Sequence, residues 1–399
     1  MRSGLWAAAA VLAVSSMACE KKTTPVEPAK PAEVKDAGAT AAAPPADEKE
    51  ILIGEVGSMS GSEAAFGQST HNGIQLAVDE ANAAGGVKGK KLKVITYDDQ
   101  SKPEEAAAAT TRLITQDKVK VILGEVASSN SLAMAPLAQD AKIPMITPSS
   151  TNPAVTEKGD YIFRVCFIDP FQGYVMAKYA RESLKFNKVA ILKDVKSAYS
   201  VGLTEVFERK FTELGGKIVG VESYSKGDTD FRAQLTSIKK LKPEGVYVPG
   251  YYNDVGPIAR QAKELGLKVV LMGGDGWDSE KLFELGGAAV EGSYVSNHYS
   301  AEDPSPNVQN FIKKYTEQHK ATPDSLAALG YDAAQVAIEA MRRAPDLTGP
   351  ALRDAIAQTK DFPGVAGTIT LNEKRDAVKP SVVLQVKDGK FKYVATVTP

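Results

Sequence analysis

Residues that carry chemistry are scarce in this chain. Its three histidines, His71, His298 and His319, stand far apart and form no HExxH or other metal-ligand spacing, so no metal site is expected. No GxSxG turn, Walker A loop or GxGxxG fingerprint occurs, and no cofactor is expected. The stretch "GGVKGKK" has the look of a phosphate loop. It falls between a helix end and a strand, however, the wrong order for cradling phosphate, and reads as a turn. Asp98-Asp99 could be a catalytic carboxylate pair, but adjacent residues on an extended chain point to opposite sides, which favours a turn role. Net charge is nearly absent, −1 over 399 residues, and gives no reason to expect nucleic acid or an anionic membrane surface as the main partner. These absences argue against an enzyme.

Cysteine is almost missing too. Cys166 lies in "YIFRVCF", a strand-like apolar run, where a buried inert thiol is expected rather than a nucleophile. The other cysteine, Cys19, closes a distinctive start: Arg2, then the apolar "LWAAAAVLAV", too short to span a bilayer, then "SSMAC". That last stretch resembles a bacterial lipobox, with Ala18 before a thiol to be acylated, and it implies a lipoprotein signal peptide over residues 1–18. An ordinary secretory signal with an incidental cysteine is the alternative. Acylation of Cys19 would leave no intramolecular disulfide. Residues 19–50 are rich in Pro, Ala, Lys and Glu without apolar period, and are expected to form an extended disordered tether reaching on the order of 90 Å. The expected location is periplasmic, lipid-anchored to a bacterial membrane.

From Ile51 onward the chain is 

rich enough in apolar residues to bury a core, and its length suits two lobes rather than one. Short apolar runs alternate with amphipathic stretches. "ILIGEVG" leads into "STHNGIQLAVDEANAAGG", "KLKVITY" into "PEEAAAATTRLITQD", and "KVKVIL" into a helix around Met134. A second series follows: "KVAILKD" with a helix over Val201–Leu214, "KIVGVESY" with Phe231–Leu241, "GVYVPGY" with Asp254–Leu265, then "KVVLMGG". Strand then helix, repeated, predicts an α/β fold with parallel sheets, and two series predict two doubly wound lobes. Gly85-Gly86, Gly215-Gly216 and Gly266 are placed to stop helices. Chain crossings between lobes are expected near "IDPFQGYVMAKYA", around Tyr294–Tyr299 and around Val378–Val382.

In open parallel sheets, ligands sit beyond the carboxyl ends of the strands. Two hydroxyl clusters fall there. Ser128 and Ser129 follow "VILGEVA" and open a helix; Ser149, Ser150 and Thr151 follow "PMITP". Hydroxyls and free helix N–H groups converging on one spot suit a small anion, a carboxylate above all. Helix caps and turn residues are the equally weighted alternative.

Over nearly all of Ile51–Thr396 the chain resembles the periplasmic leucine/isoleucine/valine-binding proteins, the type I solute receptors of ABC importers. "IGEVGSMSGSEAAFGQSTHNGIQLAVDEANAAGG", "IPMITPSST", "DFRAQLTSIK", "QAKELGL" and "ALGYDAAQVA" carry the resemblance, in order. It implies two α/β lobes joined by a three-crossing hinge, residues 51–170 with 297–378 and 171–296 with 379–399. It also implies an amino-acid site, in which Ser128, Ser149 and Thr151 hold the α-carboxylate. Asp275, in "MGGDGW", and the aromatic Tyr199 and Tyr251 would meet the ammonium, while Phe66 would wall the side-chain pocket. A buried ammonium needs a carboxylate and a buried carboxylate needs donors, since an unpaired one costs roughly 1–3 kcal/mol or more. The bland alternatives are a turn aspartate, tyrosines packed at a cleft edge and a core phenylalanine.

Departures from the family pattern are local. Ser200 follows Tyr199 where many relatives have glycine. Gln100-Ser101 and Ala127 stand where some relatives carry a disulfide, which predicts a more mobile loop. Trp277 either narrows the pocket or seats the helix that Ser279 begins. The resulting expectation is a monomeric solute receptor that closes around a branched-chain or other aliphatic amino acid and delivers it to the membrane permease of an ABC importer. Alternatives are a sensory receptor of the same fold, or a receptor for an amide, urea or aromatic acid.

Overall fold

A computed structural model describes residues 49–399. The signal peptide, the Cys19 lipidation site and nearly all of the tether lie outside the described residues.

The first repeating series comprises β1 (Glu50–Gly57), α1 (Ala64–Ala83), β2 (Lys91–Asp98), α2 (Pro103–Arg112), β3 (Val121–Leu123), α3 (Ser128–Asp140), β4 (Met145–Thr147) and β5 (Ile162–Arg164). Its strands pair in parallel in the order β2-β1-β3-β4-β5. Along β1 the pleat sorts side chains between two cores: Ile51 and Ile53 pack with Ile74 of α1, whereas Leu52 and Val56 pack with Leu113 and Met134 on the opposite face. Covered on both faces, β3, β4 and β5 are buried at every residue; β3 is wholly apolar, whereas β4 and β5 end in the buried Thr147 and Arg164, the latter paired with Asp376 (2.6 Å).

The second series comprises α4 (Asp169–Lys178), β6 (Lys188–Asp194), α5 (Ala198–Glu213), β7 (Lys217–Tyr224), α6 (Arg232–Leu241), β8 (Gly245–Tyr247), α7 (Tyr252–Glu264), β9 (Val270–Gly273), α8 (Glu280–Gly286) and β10 (Tyr294–Asn297). The chain then returns to the first sheet with α9 (Pro306–His319), α10 (Ser325–Arg343) and α11 (Gly349–Ala357), α10 lying along α1. After a short hairpin of β11 (Phe362–Gly364) and β12 (Gly367–Ile369), it passes back to add β13 (Ser381–Lys387) and β14 (Lys390–Val397) to the second sheet.

That sheet runs β14-β13-β10-β9-β8-β6-β7, and β13 and β14 are antiparallel, a departure from the purely parallel expectation. β13 runs antiparallel to β10 as well as to β14, so β14 lies parallel to the rest of the sheet. Between β13 and β14 the reason is local: Asp388-Gly389 joins them with both φ angles positive, 53° and 67°, the backbone of a two-residue hairpin turn. Among the described residues no helix is long and apolar enough to cross a membrane.

Candidate ligand-binding cleft

Every residue expected in the site lies on a segment beyond the carboxyl end of a strand: Phe66 after β1, Ser128 after β3, Ser149 and Thr151 after β4, Tyr199 after β6, Tyr251 after β8 and Asp275 after β9. The two sheets point these ends at each other. Six of the seven, all but Thr151, line one small cleft, joined there by Val126, Gly276 and Leu326. Its atom-free space is about 240 Å³ including the mouth. The enclosed part of that space is only about 10 Å³, so the two walls stand nearly in contact.

On the first wall the hydroxyl cluster divides its work. Ser150 Oγ donates to the Glu125 and Val126 carbonyls (2.9 Å each) and lies 2.7 Å from Ser131 Oγ, so it staples the loop after β4 to the start of α3. Thr147 Oγ1 donates to the Glu125 carbonyl (2.6 Å) in the same staple. Ser128 is the first residue of α3, where backbone N–H groups lack intrahelical partners, and its Oγ accepts from Asn152 N (3.3 Å). With the loop fixed, Ser149 Oγ is buried without a hydrogen-bond partner. Thr151 sits behind the cleft wall beside Asp169, whose buried carboxyl is pushed up to about 7 by loss of solvent.

On the second wall, Asp275 is held by neutral groups. Tyr199 Oη donates to its Oδ1 (2.9 Å), its backbone N–H donates to Gln172 Oε1 (2.9 Å), and its Oδ2 lies 2.9 Å from His298 Nε2. Burial pushes His298 down to about 4 against the pull of Asp275, so the imidazole is neutral near pH 7. Facing a carboxylate, which only accepts, Nε2 carries its proton. Among the described residues no lysine or arginine pairs with Asp275, which leaves its negative charge unbalanced beside the cleft. Glycines admit this scaffold. A Cβ on Gly274 would collide with Tyr199 Oη, and one on Gly276 would lie 2.7 Å from Tyr251 Cδ1.

The aromatic groups form one array. Tyr199 and Tyr251 stack with centroids 5.1 Å apart and planes 12° apart, and Phe66 meets Tyr251 edge-on at 5.6 Å. Trp277 is fully buried beneath them, its Nε1 donating to the Val248 carbonyl (3.0 Å), and it does not line the cleft. It belongs to the second lobe's core, next to α8, which Ser279 caps through Lys281 N (3.2 Å).

Asp98 is exposed and accepts from Met59 N, Ser60 N and Gln100 N as a turn residue, whereas Asp99 is buried and accepts from Ser58 Oγ and Asn130 Nδ2 (2.8 Å each). The two point to opposite sides, as the extended chain requires. The loop at Gln100-Ser101 is pinned rather than loose: Ser101 Oγ accepts from Glu63 N (3.0 Å) and donates to the Ser60 carbonyl (3.2 Å). Cys166 is buried, its thiol pushed up to about 12 by loss of solvent. Sequence reasoning missed His298, Gln172, Val126 and Leu326. The first two had no spacing to betray them, and the last two are apolar residues indistinguishable from core.

Two sheet-centred lobes with strand ends converging on a small cleft of donors and one acid define a two-lobed solute-binding architecture. The chain matches the model of the Periplasmic binding protein family over residues 50–390 and belongs to that family. It is 32% identical over 348 residues to an amino acid binding protein of Pseudomonas aeruginosa, spanning 86% of this chain and 92% of that one. Among solved structures, the leucine binding protein LivK of Thermotoga maritima superposes with a TM-score of 0.84 at 40% identity, over 88% of this chain and 99% of that one. LivJ of Streptococcus pneumoniae, in complex with isoleucine, gives 0.84 at 35% identity over 88% and 100%.

Proposed function

We propose that this chain is the solute receptor of an ABC importer and that it binds an aliphatic amino acid, leucine, isoleucine or valine first, between its lobes. The observation that carries the reading is the charge pattern of the cleft. Asp275, balanced by no cation, stands on one wall, and the helix start at Ser128 with the unpartnered Ser149 hydroxyl stands on the other. A zwitterion completes both: its ammonium meets Asp275 and the tyrosine faces, and its carboxylate takes the hydroxyls and N–H groups. Phe66, Val126, Tyr251 and Leu326 supply an apolar wall for the side chain. An amide, urea or aromatic acid lacks the ammonium that Asp275 answers.

The two lobes, residues 51–170 with 297–378 and 171–296 with 379–399, close on the ligand, and the closed form is what a permease recognises. Binding proceeds without turnover. Cys19 carries the lipid that keeps the receptor at the membrane, and a monomer suffices for the cycle.

The test is the thermal midpoint of the chain against the common amino acids. A ligand held only by the native state at a hundred times its Kd adds about 2.7 kcal/mol. Leucine, isoleucine or valine is expected to raise the midpoint in the wild type and not in Asp275→Ala. No shift with any amino acid, alongside a shift with a simple carboxylate, would overturn the ammonium assignment.

A further inference from the structure

Away from the ligand cleft, the lobes meet at an ion pair that the binding reading does not use. Lys226, on the loop after β7, places Nζ 2.6 Å from Glu63 Oε1 at the start of α1, and the same ammonium donates to the Ser101 carbonyl (2.8 Å). The lysine belongs to the second lobe and both its partners to the first. Its backbone is anchored in its own lobe, because Lys226 N donates to Asp194 Oδ1 (3.1 Å). One helical turn along α1 from Glu63 is Phe66, a wall of the cleft.

The first-lobe side of this contact is crowded with acid. Glu63 is 2% exposed, its Oε2 has no partner, and its carboxyl is pushed up by burial and by nearby Asp99, with Lys226 pulling it back. Asp99 and Glu125 are buried behind it and joined through Ser58, each pushed up by loss of solvent. With the lobes apart, Glu63 would reach water and need no cation. With the lobes together, a buried Glu63 lacking Lys226 would stand uncompensated beside two further acids, the arrangement in which removing one partner is most costly. The pair therefore favours the closed state selectively. Tyr252 of the second lobe grips the same spot, its Oη donating to the Ser62 carbonyl (3.1 Å) and accepting from Ala65 N (3.2 Å).

We infer that Lys226 is a closing residue: its ion pair with Glu63 holds the lobes together over bound solute and sets how long the solute stays. The inference rests on the amino-acid reading for its ligand and on the Lys226 geometry for everything else. It predicts a split in kinetics. Entry occurs before the pair forms, so kon is insensitive to it, whereas release requires breaking it.

Stopped-flow tyrosine fluorescence on the full chain with leucine, isoleucine and valine tests this with Lys226→Met and Lys226→Arg. Lys226→Met is expected to raise koff about ten-fold with kon within about two-fold, and Lys226→Arg to restore most of the residence time. The unliganded melting midpoint should not move. An unchanged koff in Lys226→Met overturns the inference, as does a parallel fall in kon and unliganded stability, which marks simple damage. A wild type that binds none of the three sinks the amino-acid reading instead. The latch is then tested by the same koff comparison with whichever other amino acid or simple carboxylate raises the wild-type midpoint, and an unchanged koff there overturns it.

Discussion

The two walls of the cleft reach opposite chemistry from the same place in the fold. Both are loops beyond the carboxyl ends of parallel strands. The first wall offers donors: Ser128 at a helix start, and Ser149, buried and unpartnered on a loop that Ser150 and Thr147 staple. The second offers an acceptor, Asp275, fixed by Tyr199, Gln172 and His298 but not neutralised by them. In each wall some polar groups hold the loop so that others need not. Which residue is free for a ligand is decided by its neighbours' hydrogen bonds, not by its type.

Asp275→Ala breaks the comparison most severely, because it removes the one acidic partner on the second wall and leaves a ligand ammonium buried unpaired. Leucine affinity is expected to fall about a thousand-fold, about 4 kcal/mol, by calorimetry, with the fold retained in circular dichroism. A drop of less than ten-fold would move the ammonium site elsewhere.

The second wall also carries a pH dependence, opposite in sign to that of the buried acids around it. His298 is pushed from its ordinary 6.5 down to about 4 in the folded chain, so on acidification the unfolded chain takes up the proton first. The stability it contributes is complete above pH 6.5, declines as pH falls towards 4, and totals about 3 kcal/mol. Asp169 and Asp254, pushed up to about 7 by burial, act in the opposite sense and add stability as pH falls from 7 towards 3.8. Urea unfolding of wild type and His298→Gln between pH 4.5 and 7 separates them. The wild type should lose stability relative to the variant on acidification, and parallel curves would remove the histidine from the account.

On the first wall, Ser149→Ala deletes one unpartnered hydroxyl and should weaken leucine binding about ten-fold while leaving the melting midpoint in place, since no protein group loses a bond. Ser150→Ala should do the reverse. It cuts the staple to the Glu125 and Val126 carbonyls, lowering stability by about 1–2 kcal/mol by chemical unfolding. If the two variants behaved alike, the division of labour within the cluster would be wrong.

Much of this was legible in the sequence, and the reasons differ by level. The alternation of apolar runs with amphipathic stretches marked the two sheets, because a strand covered on both faces is mostly apolar. Asp388-Gly389 was the one turn whose chemistry would have revealed the antiparallel end of the second sheet. Hydroxyls at strand ends marked the first wall, but nothing in "PSST" separates the stapling Ser150 from the unpartnered Ser149; that distinction lies in carbonyls about 25 residues earlier in the chain. Trp277 was undecidable for the same reason, since its partner is the Val248 carbonyl. His298 reaches Asp275 across β10 and stacks on Phe167 at 3.6 Å, a meeting no local spacing encodes.

Leu326 is the subtlest case and gives the smallest expected effect. It begins α10, far in sequence from the other cleft residues, and reaches the cleft because α10 lies along α1, which carries Phe66. Its contribution is shape rather than charge, so truncation should discriminate among side chains without touching the groups that hold the ligand's backbone. Leu326→Ala is expected to shift the leucine-to-valine affinity ratio by about ten-fold or less, roughly 1 kcal/mol, because one or two methylenes of contact are at stake. Calorimetry with both amino acids reads the ratio directly. An equal loss for both would mean that Leu326 supports the wall's position rather than its selectivity, and the apolar side of the cleft would then rest on Phe66 and Val126.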